Sequence, residues 1–117
     1  MADDGWQGRA LDTVGGLGGF YVSATCVAGE QLRYVNGATA TVDVGHAITR
    51  KAACNEDEHV IGGGARIGGL VDTGRLVVSA PYDGPDADSI PDDGWKAKAW
   101  NVGVLPKLVG AYAICLR

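Results

Sequence analysis

Short stretches of the chain alternate between apolar and polar residues with a period of two. This period is typical of a β-strand that buries one of its faces. The alternation is clearest in residues 38–44 and 95–100. In the second stretch, three alternate residues form a side that we expect to face the core: Trp95, Ala97 and Ala99. The other three form the outer side: Lys96, Lys98 and Trp100.

Glycine or proline bounds a series of short β-prone runs. The runs are residues 20–25, 31–35, 38–44, 47–53, 59–67, 75–80, 95–102 and 108–116. No window of a dozen residues keeps a helical stripe without an interrupting glycine or proline. This pattern predicts an all-β fold, namely a small antiparallel β-sandwich, barrel or prism. The dipeptide Asn36-Gly37 is a strong signal for a hairpin turn between two of the strands.

The beginning of the chain differs from the rest in composition and in periodicity. Glycine makes up 19 of the 117 residues, more than twice the usual share of about 7%. Residues 1–19 are rich in glycine and aperiodic, which predicts a glycine-rich N-terminal arm. Residues 20–117 are predicted to form a single β domain, because a chain of this length is typical of one domain.

Charge and hydropathy exclude two classes of partner. The chain has 10 basic and 14 acidic residues, a net charge of -4 and a pI near 4.9. A nucleic-acid binder needs a basic surface, so no nucleic-acid partner is predicted. No apolar run reaches the roughly 18–20 residues of a membrane span, so no membrane partner is predicted either. The acidic start of the chain is not typical of a signal peptide.

The residues that most often carry chemistry do not form a recognisable catalytic or metal site. The only histidines, His46 and His59, occupy a turn position and a carboxylate-rich neighbourhood, and no common hydrolase motif surrounds them. Residues 83–93 hold five of the 14 acids, whose oxygens could bind calcium. Their spacing matches no EF-hand, and the prolines and glycines favour a solvated loop. We therefore predict no catalytic residues, no metal and no cofactor.

The three cysteines are compatible with two redox states. Cys26, Cys54 and Cys115 contain no C-x-x-C pair, which argues against a zinc site. One disulfide with a leftover thiol and three buried reduced cysteines are equally compatible with the spacing.

Five blocks in the second half of the chain follow a known order. The blocks are residues 53–54, 60–65, 77–81, 94–101 and 111–115. In this order they resemble the small cysteine-containing β domains of secreted actinobacterial proteins and of virion proteins of actinobacterial phages. The resemblance implies a disulfide between Cys54 and Cys115, with Cys26 left over, and a non-enzymatic binding or structural module. The chain departs from that pattern at residues 55–58, where the family has a proline- and glycine-containing turn.

The resemblance and the absence of a signal peptide favour a non-enzymatic structural protein of a tailed-phage virion. The expected role is capsid decoration or cement on the capsid surface, in contact with the major capsid protein or another virion protein. We expect a homo-oligomer, with a trimer favoured. The candidate interface residues are Trp6, Leu11, Val14 and Leu17 in the arm and Trp100 in the β domain.

Two other functions remain open from the sequence. One is a tail, fibre or secreted binding module that recognises a glycan or a cell surface through Trp100 and Tyr82. The other is a small enzyme, whose turnover would depend on His46 or His59.

Overall fold

A computed structural model describes residues 5, 7–9, 15–16, 18–24, 26, 31–68 and 74–117. Within these residues the chain forms antiparallel β-strands and no helix. The strands are β1 (Leu32–Asn36), β2 (Ala40–Val42), β3 (Ala47–Ala53), β4 (His59–Gly68), β5 (Gly74–Tyr82), β6 (Gly94–Asn101) and β7 (Lys107–Leu116). The prediction of an all-β fold is confirmed.

The seven strands form two sheets that pack face to face. In sheet A, β7 is central, with β4 on one side and β1 and β2 end to end on the other. In sheet B the order is β3-β6-β5. Neither sheet closes on itself, so a sandwich is the correct one of the three predicted architectures. Four of the six connections, those after β2, β3, β4 and β6, cross from one sheet to the other.

Seven of the eight predicted β-prone runs overlap an observed strand. The exception is the first, where residues 20–24 lie outside any strand. The predicted hairpin at Asn36-Gly37 is wrong, because β1 and β2 do not pair with each other; both pair with β7. Gly37 donates its N–H to Ala111 O (2.9 Å). A side chain at Gly37 would collide with the Lys51 carbonyl of β3, so glycine is needed for close approach rather than for a turn.

Small side chains fill the space between the sheets. The buried apolar residues are Val42, Ala52, Ala97, Ala99, Val109, Ala111, Ala113 and Cys115. Trp95 is half-buried, packs against this core and donates its indole N–H to Ser79 Oγ (2.9 Å). A side chain at Gly63 would collide with the Trp95 ring, so the glycine makes room for the indole. The inward side predicted for Trp95, Ala97 and Ala99 is confirmed.

A disulfide joins the two sheets at one end of the sandwich. Cys54 directly follows β3 of sheet B, and Cys115 lies in β7 of sheet A, with their Cα atoms 5.7 Å apart. The pairing implied by the family resemblance is confirmed, and Cys26 is a free, exposed cysteine. The alternative of three buried reduced cysteines is therefore wrong. A disulfide is compatible with an extracellular or secreted protein.

At the opposite end, a buried asparagine holds the loops together. The Asn101 side chain is 1% exposed. Its Nδ2 donates to Val42 O (3.0 Å) and Leu105 O (2.8 Å), and its Oδ1 accepts from Gly103 N (3.0 Å). One amide therefore joins the end of β2 to the loop between β6 and β7.

Candidate functional site

The two histidines occupy separate, simple environments. His46 ends a turn closed by its own N–H and Asp43 O, and its Nδ1 lies 3.2 Å from Val44 O. His59 begins β4, is 71% exposed and pairs with Asp92 (Nδ1 to Oδ2, 2.6 Å). Within the described residues, neither ring has a hydroxyl or thiol as a hydrogen-bond partner, which a nucleophilic site would require.

The acidic loop (residues 83–93) connects β5 to β6 and lies at the surface. Asp86 accepts a hydrogen bond from Asp88 N (3.0 Å), and Asp88 accepts one from Ile90 N (2.7 Å). The exposed carboxylates of Asp83, Asp86 and Asp88 lie within 4.8 Å of one another. Desolvation, followed by repulsion from the neighbouring carboxylates, raises the pKa of Asp83. These contacts describe a loop with a dense, solvent-facing negative charge.

An ion pair near the disulfide joins β1 to the turn that precedes β4. Arg33 of β1 donates from Nε to Glu58 Oε1 (2.8 Å) and from Nη2 to Oε2 (2.6 Å), and Asn55 N donates to the same carboxylate (3.0 Å). Glu58 is only 8% exposed. Glu58 N also donates to Asn55 O (3.0 Å), which closes the turn at residues 55–58. The sequence carries no signal for this contact, because its partners are 25 residues apart.

We expect protonation of Glu58 to lower the stability of the protein in acid. Hydrogen bonds from Arg33 and then from the Asn55 backbone lower the pKa of Glu58 from 4.5 to about 2. Because the folded-state pKa lies below the unfolded one, this stabilisation is complete above pH 4.5 and is lost as the pH falls towards 2. Urea unfolding should show that the gap in free energy of unfolding between the native chain and Glu58→Gln narrows across that window.

The matched control is Glu56→Gln, which changes an exposed carboxylate of the same turn. This variant should follow the native chain at every pH. A difference in free energy of unfolding between the native chain and Glu58→Gln that stays constant from pH 5 to pH 2 would contradict the lowered pKa of Glu58.

The outer face of sheet A carries an apolar patch, which Asn36, Thr41, His59 and Arg66 border on the same face. The buried residues of β7 alternate with residues that point away from the core, and strand partners share a face. The apolar face of sheet A comprises Leu32, Tyr34, Leu108, Tyr112, Ile114 and Leu116. Leu108 is 53% exposed, and the other five are half-buried. A near-continuous apolar strand such as β7 is typical of a strand that is covered on both faces.

The outer face of sheet B is basic. The cationic face of sheet B comprises Lys51, Arg75, Lys96 and Lys98, with Tyr82 and Trp100 beside them. Lys51 lies directly opposite Lys96, and its Nζ lies 4.6 Å from the centre of the Tyr82 ring. The outward direction predicted for Lys96, Lys98 and Trp100 is confirmed, and Trp100 is 43% exposed. None of the seven strands contains an aspartate or glutamate.

The remaining candidate interface residues lie outside the described part of the chain. They are Trp6, Leu11, Val14 and Leu17. Their contact with neighbouring subunits stays a prediction, as does the role of Trp100 in an interface.

Comparison with known protein families, with curated proteins and with solved structures finds no match to this chain. Among the described residues, no helix is long and apolar enough to cross a bilayer.

Proposed function

We propose that this protein is a non-enzymatic structural component of a tailed-phage virion, specifically a capsid decoration or cement protein. It would sit on the capsid surface in contact with the major capsid protein or another virion protein, as a homo-oligomer with a trimer favoured. The family resemblance of the five sequence blocks supports the virion assignment. The apolar face of sheet A supports an assembly role, and it is the observation that carries the proposal.

The apolar face is best explained as a contact between copies. A sandwich with two solvated faces would place polar residues on both outer surfaces. Here the outward residues of β7 are two leucines, an isoleucine, a tyrosine and a glycine. Burial of one leucine side chain contributes about 1.5–3 kcal/mol, so a shared face of this composition supports stable association. Repetition of weak contacts around a particle adds avidity.

Leu108→Glu should dissociate the oligomer. A carboxylate buried in an apolar contact loses its hydration without gaining a partner. We expect sedimentation velocity to show a native oligomer, and an association constant at least about tenfold weaker in the variant. The matched control is Val104→Glu, since Val104 is 86% exposed and lies in the loop between β6 and β7 rather than in a strand of sheet A. A monomeric native chain, or equal effects of both variants, would contradict the proposal.

The virion assignment needs a separate measurement. Quantitative mass spectrometry of purified virions would count copies of this chain per copy of the major capsid protein. A near-stoichiometric ratio supports decoration. A handful of copies favours a tail or fibre part, and absence from particles contradicts the virion assignment.

A second candidate function is glycan recognition by a tail, fibre or secreted binding module. The observation that favours it is the exposed Trp100 ring on the cationic face of sheet B. Aromatic rings at a surface are suited to stacking against sugars. A glycan array that gives a defined signal for the native chain, and none for Trp100→Ala, would place this function first.

A further inference from the structure

The cationic face of sheet B lacks negative partners within the described chain. The ion pairs among the described residues involve Arg33, His59 and Arg117, and none involves Lys51, Arg75, Lys96 or Lys98. Lys51 and Lys96 are directly opposite on neighbouring strands, where like charges destabilise a sheet. Lys96 and Lys98 are about 7 Å apart on the same face. A concentrated positive surface on a chain of net charge -4 indicates an acidic binding partner.

The acidic loop is the complementary surface of the same chain. Its carboxylates at Asp83, Asp86 and Asp88 are exposed, and none forms an ion pair with a described basic residue. The charge of the loop is concentrated, because these three carboxylates lie within 4.8 Å of one another. The loop is therefore opposite in sign to the cationic face, and its charge is similarly concentrated.

Hydrogen bonds attach the C-terminal part of the loop to the end of the sandwich that carries the disulfide. Asp92 O accepts from Val60 N (2.7 Å), and Asp93 O accepts from Cys54 N (2.9 Å). The Asp92 side chain also pairs with His59 of β4. The C-terminal part of the loop is thus attached to the start of β4 in sheet A and to Cys54, which follows β3 of sheet B.

We propose that the cationic face of sheet B binds the acidic loop of a second copy of this protein. Lys96 and Lys98 would face the three exposed carboxylates, and Tyr82 and Trp100 would flank the contact and reduce its hydration. Several charges that act together can contribute more than isolated surface pairs do. Because loop and face are different surfaces, the contact is heterologous and can repeat from copy to copy.

This contact is additional to the apolar one and responds differently to salt. Screening weakens the attraction between exposed charges, whereas apolar burial persists at high salt. Sedimentation velocity at about 20 mM and about 300 mM NaCl therefore separates the two contacts. At high salt the apolar oligomer of the proposed function is measured by itself. At low salt we expect the oligomer to grow further, with an association constant at least about tenfold larger than at high salt.

Charge reversal on each surface tests the pairing. Lys96→Glu with Lys98→Glu should abolish the low-salt growth, and so should Asp83→Lys with Asp86→Lys. The four substitutions combined in one chain should restore it, because they exchange the signs of the two surfaces. The control is Asp43→Lys with Glu56→Lys, which makes the same change in net charge as the loop variant at exposed positions elsewhere. This control should retain growth, and thermal unfolding should show that every variant is folded.

Several results would overturn the inference. No growth of the native chain at low salt would do so, as would growth that survives both reversals. If the low-salt growth is lost when the charges of the cationic face are reversed, but not when those of the acidic loop are reversed, the loop is excluded as the partner. Another such result is a native chain that does not associate but is retained on a heparin column. If Lys96→Glu with Lys98→Glu abolishes that retention, the cationic face is assigned to an anionic polymer. A chain that is monomeric at high salt but grows at low salt would contradict the apolar oligomer alone.

Discussion

Loss of the Cys54–Cys115 disulfide should lower the free energy of unfolding by about 4 kcal/mol. The bridge spans 61 residues, and a cross-link of that length removes much conformational freedom from the unfolded chain. The core offers little to offset the loss, because five of the eight apolar residues that are buried in the described part of the chain are alanines. This loss is a large fraction of the roughly 5–15 kcal/mol by which domains are typically stable.

Guanidinium unfolding of the native chain and of Cys54→Ala with Cys115→Ala measures this effect. The native chain in the presence of a reductant should behave like the double variant. Cys26→Ser is the control, since Cys26 is exposed and unpaired, and it should leave the unfolding midpoint unchanged. Equal midpoints for the oxidised and reduced native chain would show that the bridge contributes no stability.

Asn101→Asp should destabilise the protein by about 3–5 kcal/mol at pH 7. The change replaces a buried amide donor with a carboxylate that faces the carbonyl oxygens of Val42 and Leu105. Asn101→Ala should cost less, about 1–3 kcal/mol, because it leaves those carbonyls unsatisfied without adding a charge. Size is nearly unchanged in the aspartate variant, so its loss of stability relative to the native chain reports charge rather than packing.

Urea unfolding at pH 7 and pH 4 tests this interpretation. A protonated aspartic acid can donate one hydrogen bond, so the aspartate variant should recover part of its stability at the lower pH. The control is Asn36→Asp, which makes the same chemical change at an exposed residue of β1. An Asn101→Asp variant as stable as Asn36→Asp would contradict a supporting role for the buried amide.

The strands and their faces were accessible to sequence reasoning because alternation is a local property. Residues two apart in a strand share a face whatever the strand pairs with. The split between Ala97, Ala99 and their outward neighbours Lys96 and Lys98 therefore followed from the order of residues in β6. The disulfide between Cys54 and Cys115 did not follow from spacing, which was compatible with reduced cysteines as well; it required the family resemblance.

The polar contacts of the site were beyond sequence reasoning for a different reason. Arg33 and Glu58 belong to segments that meet only because β1 and β4 flank the same strand, β7. Asn101 bonds to Val42, 59 residues away along the chain. No local pattern encodes contacts between residues so far apart along the chain. Nothing around Asn101 in the sequence marks it as a buried hydrogen-bonding residue.

The amino-acid order by itself determined the all-β class, the approximate positions of all seven described strands and the inward side of β6. Which strands are neighbours was decided only by the tertiary structure, because strand pairing depends on hydrogen bonds between distant segments. The Asn36-Gly37 signal shows the limit: a local turn preference gave way when β1 and β2 both paired with β7. The cationic face likewise arises only where the register of β3, β6 and β5 brings Lys51, Lys96 and Arg75 onto one surface.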